Sequence, residues 1–218
     1  MTYKEIRHNE EVNELLKKGN QNLGLLGYTD HSQAHCTRVA ETAAHILKKF
    51  SYPEHDIELA RIAGYMHDIG NVVNRHDHAI SGATMAFRIL DNMGMEPSDV
   101  AAVITAIGHH DDSTAFPVNA VAAALILADK TDVRRSRVRN KDMATFDIHD
   151  RVNYAVERSE VLLDLTAKTV TLSLSINTQV CAVMDYFEIF LQRMLLCRRA
   201  AEALSLKFRL EINGQVLL

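Results

Sequence analysis

The pair His67-Asp68, in the segment AGYMHDIGN, is the most chemically informative feature of this sequence. Five further side chains that could bind a metal lie at separations that successive helices could bring together: His35, His78, His109, His110 and Asp129. Imidazole nitrogens and carboxylate oxygens are the usual ligands of iron, manganese, zinc and similar divalent ions. Together these groups exceed what one ion needs, so the sequence favours a binuclear metal centre.

The local context of each carboxylate and histidine fits this interpretation. His67 and Asp68 are adjacent and cannot both follow one narrow stripe, but at a helix end they could bind one ion or straddle two. A carboxylate that bridges two ions is the natural use of Asp68. His109 and His110 repeat the arrangement near the end of another predicted helix. Asp129 ends the apolar run LILAD, and a buried carboxylate needs a cation or hydrogen-bond donors.

Most of the chain shows helical spacing of apolar residues, with only nine glycines and three prolines in the sequence. The pattern predicts helices over residues 4–18, 31–50, 54–68, 76–93, 97–110, 118–135 and 142–157. We therefore predict a mainly α protein, in which residues 1–157 form a helical bundle that carries all the candidate ligands.

The apolar period changes to strict alternation after residue 157. Residues 161–165 and 170–176 predict a β-hairpin that turns around Ala167-Lys168. A long helix over 178–203 and an alternating segment over 206–212 follow, so residues 158–218 are predicted to form a ββαβ subdomain. This small α+β appendage could be a packed sheet, a lid or the interface of a homodimer, and the sequence does not decide among them.

Composition limits the environment and the partners. With 218 residues and 47% hydrophobic content, the chain can bury a full core. Its net charge of −4 provides no global attraction for long nucleic acid or an anionic membrane. The sequence shows neither a signal segment nor an apolar run of about 20 residues that could span a bilayer. Three scattered cysteines without a CxxC pair favour a reducing cytoplasm.

Several of these residues carry a family resemblance. His35 with Arg38-Val39, the pair His67-Asp68 and the late Ala128-Asp129 resemble the signature of the HD superfamily of metal-dependent phosphohydrolases, over residues 28–135.

A second resemblance concerns the members that bind two metals. The segment from His78 to Ala83 and the pair His109-His110 resemble the extra ligands of these members, which include the HD-GYP cyclic dinucleotide phosphodiesterases. Where that subgroup usually has a lysine after HDIG, this chain has Asn71. The Gly-Tyr-Pro element is shortened to Ala115-Phe116-Pro117.

The resemblance implies a ligand set and a reaction. The first ion would be held by two histidines and two carboxylates: His35, His67, Asp68 and Asp129. The second would share a carboxylate with it and take the remaining histidines: Asp68, His78, His109 and His110. Two divalent ions roughly 3.5–4 Å apart can share a water and convert it to a bridging hydroxide that attacks phosphorus. The implied enzyme is a phosphomonoesterase or phosphodiesterase, with iron or manganese favoured over zinc, nickel, cobalt or magnesium.

A cationic run directly follows Asp129. Residues 132–141 contain five lysines and arginines, and arginine forks match the geometry of phosphate oxygens. On a continuing helix these arginines would share faces in pairs. We predict that Arg134 or Arg135 contacts a substrate phosphate, with Lys130 as a weaker candidate; the alternative is a solvated helix face or a partner surface.

Two other functions stay open at this point. Some HD proteins resemble this ligand pattern but use a mixed-valence di-iron centre to activate oxygen, so an oxygenase is one alternative. The other is a metal-stabilised sensor or regulatory module that binds a ligand or partner. A complete ligand set favours hydrolysis over a binding module, which would not need one. The expected substrate is a small phosphorylated molecule such as a nucleotide. His31 and His76 neighbour candidate ligands, and either could support a ligand by a hydrogen bond or face that substrate.

Overall fold

The N-terminal part of the protein is a bundle of helices, as predicted. A computed structural model describes residues 1–112 and 114–217. The bundle consists of α1 (Tyr3–Arg7), α2 (Glu10–Leu25), α3 (Gln33–Lys49), α4 (Glu54–Met66), α5 (His78–Asn92), α6 (Pro97–Gly108), α7 (Ala120–Lys130) and α8 (Ile148–Ala155). Short 3₁₀ turns cover Ile69–Val72, Arg135–Arg137 and Met143–Thr145. Within the described residues, no helix combines the length and apolar character needed to cross a membrane.

The C-terminal part is a small mixed sheet packed with one long helix. Its elements are β1 (Val156–Asp164), β2 (Thr169–Ile176), α9 (Val183–Ala203), β3 (Lys207–Ile212) and β4 (Gln215–Val216). The strand order is β1-β2-β3-β4, and the pair β2–β3 is parallel. A parallel pair needs a long crossover connection, which α9 provides. The predicted order ββαβ is confirmed, with the two-residue strand β4 added after the turn at Asn213-Gly214.

Four predicted helices have clearly different bounds in the structure, and the one predicted over 178–203 begins only at Val183. The segment 4–18 is divided because Asn9 caps a new helix, where its Oδ1 accepts from the Val12 amide at 3.0 Å. The predicted helix over 142–157 begins only at Ile148, where the Asp147 carboxylate accepts from the Asp150 amide. The predicted helix over 118–135 ends at Lys130, so the arginine run that follows does not lie on a helix face.

The bundle and the sheet share one hydrophobic core. Helix α7 packs against α9, and the buried cluster contains Leu127 from α7, Phe190 from α9 and Leu210 from β3. Helix α8 ends at Ala155 and β1 begins at the next residue. The division into two units at residue 157 stays a prediction, whereas the shared core shows that the C-terminal helix lies directly against the bundle.

Two glycines allow the segments that carry the candidate ligands to approach closely. A Cβ atom on Gly64 in α4 would lie 2.7 Å from the Ala40 Cα atom in α3. A Cβ atom on Gly70 would overlap the carbonyl oxygen of His78 and lie 2.6 Å from the Gly82 nitrogen in α5. The first approach brings α3 to α4, and the second brings the turn after α4 to α5.

We expect Gly64→Ala to destabilise the protein by about 1–3 kcal/mol, because the added methyl group meets rigid backbone and must separate α3 from α4. Urea unfolding monitored by circular dichroism measures the change. Gly108→Ala is the matched control, since its methyl group would meet only the Ala83 Cβ atom at 3.7 Å. Equal stability of the two variants would contradict the close-approach argument.

Candidate metal centre

One group of candidate ligands comes from three different helices. His35 lies in the first turn of α3, His67 directly follows α4, and Asp129 lies in the last turn of α7. The Asp129 Oδ1 atom is 3.3 Å from His35 Nε2 and 3.7 Å from His67 Nε2. These three ligand atoms lie within 4.8 Å of one another, so a single ion could contact all of them.

Asp68 faces two groups of ligands with its two oxygens. Its Oδ2 atom lies 3.3 Å from His67 Nε2 and 3.7 Å from His35 Nε2. Its Oδ1 atom lies 3.7 Å from the Nε2 atom of His78, the first residue of α5. The two oxygens of Asp68 therefore face different ligand groups, and its role as a bridge between two ions stays a prediction.

The second group consists of Asp68, His78 and His110. The Nε2 atoms of His78 and His110 are 3.1 Å apart. His109, which was expected to join this group, belongs to none of the three clusters of possible ligands found among the described residues, the third being Cys36, His67 and Asp68. Adjacent side chains at a helix end diverge, so the turn that directs His110 inward directs His109 elsewhere.

Hydrogen bonds hold all four imidazoles in the same orientation. In each ring Nδ1 lies within 3.0 Å of an oxygen: Asp132 Oδ2 for His35, Gly64 O for His67, Arg75 O for His78 and Ile107 O for His110. Because a carbonyl or carboxylate oxygen can only accept, Nδ1 carries the proton in each ring. This arrangement, common around metal ligands, leaves Nε2 to face the other ligand atoms.

The polar atoms at the centre fit a bound cation. Among the described residues, His35 Nε2, His67 Nε2 and Asp68 Oδ2 are buried without a hydrogen-bond partner. An unsatisfied buried polar atom costs about 1–3 kcal/mol, and here three occur at one place. The lone pairs of His78 and His110 also meet at close range. A divalent ion in each group would satisfy these atoms, and imidazole with carboxylate is a suitable donor set.

The carboxylates keep their charge despite burial. Burial alone would raise the pKa of Asp68, but the charge on His67 and other neighbours holds that pKa well below its usual range. Burial likewise opposes ionisation of Asp129, and Lys130 makes the largest contribution to holding its pKa low. Burial disfavours the charged form of His67, but Asp68 and Asp129 outweigh it and raise the pKa of His67 to about 10. Without a metal, His67 is therefore a counter-ion of the two carboxylates.

The arginine run surrounds Asp132, the carboxylate that orients His35. Arg134 Nη2 donates to Asp132 Oδ2 at 2.9 Å, and Arg38 Nε lies 3.2 Å from Oδ1. Arg137 Nη1 donates to the Asp132 carbonyl oxygen at 2.9 Å. Asp132 was not among the predicted site residues. Its position three residues after Asp129 was the available signal.

The structure places Arg134 and Arg135 outside both ligand groups, and their predicted contact with a substrate phosphate stays a prediction. Arg134 is held by Asp132, a buried anion. Arg135 stacks on Tyr154 with its guanidinium carbon 4.5 Å from the ring centroid, and both arginines line a separate surface groove. The end of α7 at Lys130 explains these positions, because the arginines no longer project from the helix that carries Asp129.

A cavity of about 210 Å³ adjoins the second ligand group. Four of the candidate ligands line it, together with residues from the 26–31 loop, α8 and α9. The cavity also has four cationic residues: Arg75, Lys130, Arg137 and Arg193. His31 lines the cavity, whereas His76 is exposed and pairs with Asp77. Arg75 and Arg193 carried no motif that could identify them in the sequence.

Comparison with known proteins identifies the family. The HD domain family matches residues 33–188, which is more than half of the chain, so the protein belongs to the HD-domain family. All the candidate metal ligands fall within the matched residues.

Two known proteins are similar to this chain. The uncharacterized protein MJ1020 of Methanocaldococcus jannaschii is 29% identical over an alignment of 185 positions, and the match covers 74% of this chain and 71% of that protein. The crystal structure of a predicted HD superfamily hydrolase from an uncultured Thermotogales bacterium is 27% identical. The superposition covers 58% of this chain and 69% of the chain in that crystal structure, with a TM-score of 0.46.

We expect Asp132→Asn to weaken metal binding about 10- to 100-fold, because His35 loses the carboxylate that orients its ring. Calorimetric titration with Mn²⁺ and elemental analysis measure the effect. Asp91→Asn, which changes an exposed carboxylate on α5, is the matched control. If both variants bind the ion like the wild type, Asp132 does not orient a ligand.

Metal binding should also release a proton from His67. Its raised pKa of about 10 means that the metal-free imidazole is protonated at neutral pH, and an ion must displace that proton to reach Nε2. Apparent affinity should therefore rise with pH, up to about tenfold per unit below pH 10 for one displaced proton. Titration calorimetry in two buffers of different ionisation enthalpy counts the protons. If metal binding releases no proton, His67 is not protonated in the metal-free protein and the prediction is wrong.

Proposed function

We propose that the protein is a metal-dependent hydrolase that cleaves a phosphate ester or anhydride of a small molecule such as a nucleotide. The observation that carries the proposal is the placement of Asp68, whose two oxygens face two separate ligand groups beside a cavity to which four lysine and arginine side chains contribute. Membership of the HD-domain family supports it.

The ligands and the cavity would have distinct tasks. Divalent ions, when bound, would supply a water of lowered pKa and neutralise charge on the phosphoryl group. His35, His67 and Asp129 would hold one ion, His78 and His110 would hold the other, and Asp68 would contact both. The Nδ1 hydrogen bonds fix these imidazoles before substrate arrives, which limits the reorganisation that the reaction requires.

Arg75 is a better candidate for a phosphate contact than the arginines after Asp132. Its Nη1 atom lies 3.3 Å from His78 Nε2 and 3.8 Å from Asp68 Oδ1. The guanidinium therefore borders the second ligand group, where a phosphoryl oxygen would bind.

Lys130, the weaker sequence candidate, has a different position. It is buried, and its Nζ atom lies 2.8 Å from Asp129 Oδ2 and 3.3 Å from Asp112 Oδ1. We assign it to holding the Asp129 carboxylate, since both contacts commit its charge to neighbouring side chains.

The dimensions of the cavity support a small substrate. Its volume of about 210 Å³ lies below the roughly 300–1,000 Å³ of drug-sized ligand sites. It therefore suits a phosphate and the group directly attached to it. Four lysine and arginine side chains in the lining could contact an anionic substrate, beside four aspartates: Asp68, Asp129, Asp147 and Asp150.

The test is a screen of Mn²⁺- or Fe²⁺-loaded protein against mono-, di- and cyclic nucleotides and p-nitrophenyl phosphate. We expect hydrolysis that requires metal and proceeds without oxygen. Asp129→Asn should lower kcat at least about 100-fold, because it removes a ligand oxygen and its charge. Asp91→Asn should retain wild-type activity.

Two outcomes would replace this proposal by another function. Turnover that depends on oxygen would favour an oxygenase. Tight binding of a phosphorylated ligand without turnover across the whole screen would favour a sensing or regulatory module.

A further inference from the structure

The C-terminal helix contributes a cation to the cavity of the metal centre. Arg193 lies in α9, five residues beyond the last residue of the family match, and it lines the same cavity as Asp68 and His78. The contribution therefore comes from a part of the chain outside the matched HD domain.

Two contacts fix the plane of the Arg193 guanidinium. Its Nε atom donates to Asp112 Oδ2 at 2.7 Å. Its central carbon lies 4.8 Å from the ring centroid of Phe190, which is 1% exposed. A rigid ring on one side and a carboxylate at the Nε edge leave the guanidinium little rotational freedom.

Asp112 also connects this arginine with the metal ligands. Its second oxygen, Oδ1, lies 3.3 Å from Lys130 Nζ, which in turn lies 2.8 Å from Asp129 Oδ2. Charges of alternating sign thus extend from a candidate ligand to Arg193. The contacts among Asp129, Lys130, Asp112 and Arg193 therefore fix the position of the Arg193 guanidinium relative to the candidate metal centre.

The outer edge of Arg193 is available for an anion. Within residues 1–112 and 114–217, neither Nη atom has a hydrogen-bond acceptor, and the side chain is 29% exposed. By contrast, Arg137 lines the same cavity but donates to the carbonyl oxygens of Asp30 and Asp132. A guanidinium with its two Nη groups free can bind two oxygens of one phosphate.

We propose that Arg193 binds phosphate oxygens of the substrate, so that the C-terminal helix completes the binding site of the HD domain. The proposal rests on the proposed function, because it assigns a phosphorylated ligand to the same cavity. Asp112 is then a positioning residue that holds the guanidinium by its Nε edge and directs the Nη groups to the ligand.

Binding of inorganic phosphate to the Mn²⁺-loaded full chain tests the proposal. We expect Arg193→Gln to weaken phosphate binding, measured by calorimetry, about tenfold to hundredfold, as for loss of a charged hydrogen-bonded pair. Metal content and the melting temperature should stay at wild-type values. Arg199→Gln removes an exposed arginine of the same helix that does not line the cavity, and it should bind phosphate like the wild type.

A conservative variant separates anion binding from a structural role of the Arg193–Asp112 pair. Arg193→Lys keeps the charge but not the fork, so phosphate affinity should recover only in part. For a substrate found in the screen, Arg193→Gln should raise KM more than it lowers kcat. The proposal is overturned if Arg193→Gln and Arg199→Gln bind phosphate equally, or if phosphate affinity falls only in proportion to lost metal.

The result can be distinguished from failure of the proposed function. Phosphate binding needs no turnover, so a loss specific to Arg193→Gln would support the inference even if no ester were cleaved. Conversely, ester hydrolysis with unchanged KM and phosphate affinity in Arg193→Gln would refute the inference and leave the hydrolase intact. A wild-type protein that cleaves esters but does not bind phosphate would also refute it.

Discussion

Asp68 and Asp129 place two carboxylates inside a helical bundle, where an isolated negative charge is expensive because water is excluded. The surrounding structure supplies positive or polarisable groups to both of them. His67 lies against both carboxylates, and Lys130 contacts Asp129. Their low pKa values despite burial show that these neighbours outweigh desolvation. The centre is therefore an anionic cage that favours cations, and its histidines can exchange a proton for a metal.

Positive groups also surround a buried carboxylate that contacts a ligand rather than the candidate metal position. Asp132 is a third buried carboxylate, and it accepts a hydrogen bond from His35 Nδ1 while arginines surround it. The positive charge of the run after α7 thus stabilises the anion that orients a ligand. A negative group next to His35 raises the basicity of its imidazole, so the arginines act on the centre through Asp132 and His35.

Elements with a regular pattern were predictable from the sequence, and so were ligands within a recognisable motif. The helices α3 to α7 and the hairpin follow directly from apolar spacing, and His35, His67, Asp68, His78, His110 and Asp129 were all singled out. The inward position of His110 rather than His109 depends on the backbone at the end of α6, which periodicity does not define. The contact of Arg134 or Arg135 with a substrate phosphate stays a prediction. Helix α7 ends at Lys130, so helical spacing from Asp129 does not give the directions of these two side chains.

Arg193 illustrates a contribution that local patterns cannot reveal. Helix α9 must connect the parallel strands β2 and β3, and its apolar residues place it against α7. Once that packing is formed, one polar position on α9 lies beside the cavity, 64 residues after Asp129 in the sequence. Helix α9 thus has two roles. It connects two parallel strands of the small sheet, and it lines the cavity beside the metal centre. A change in the packing of α7 against α9 would therefore alter both the core and the cavity.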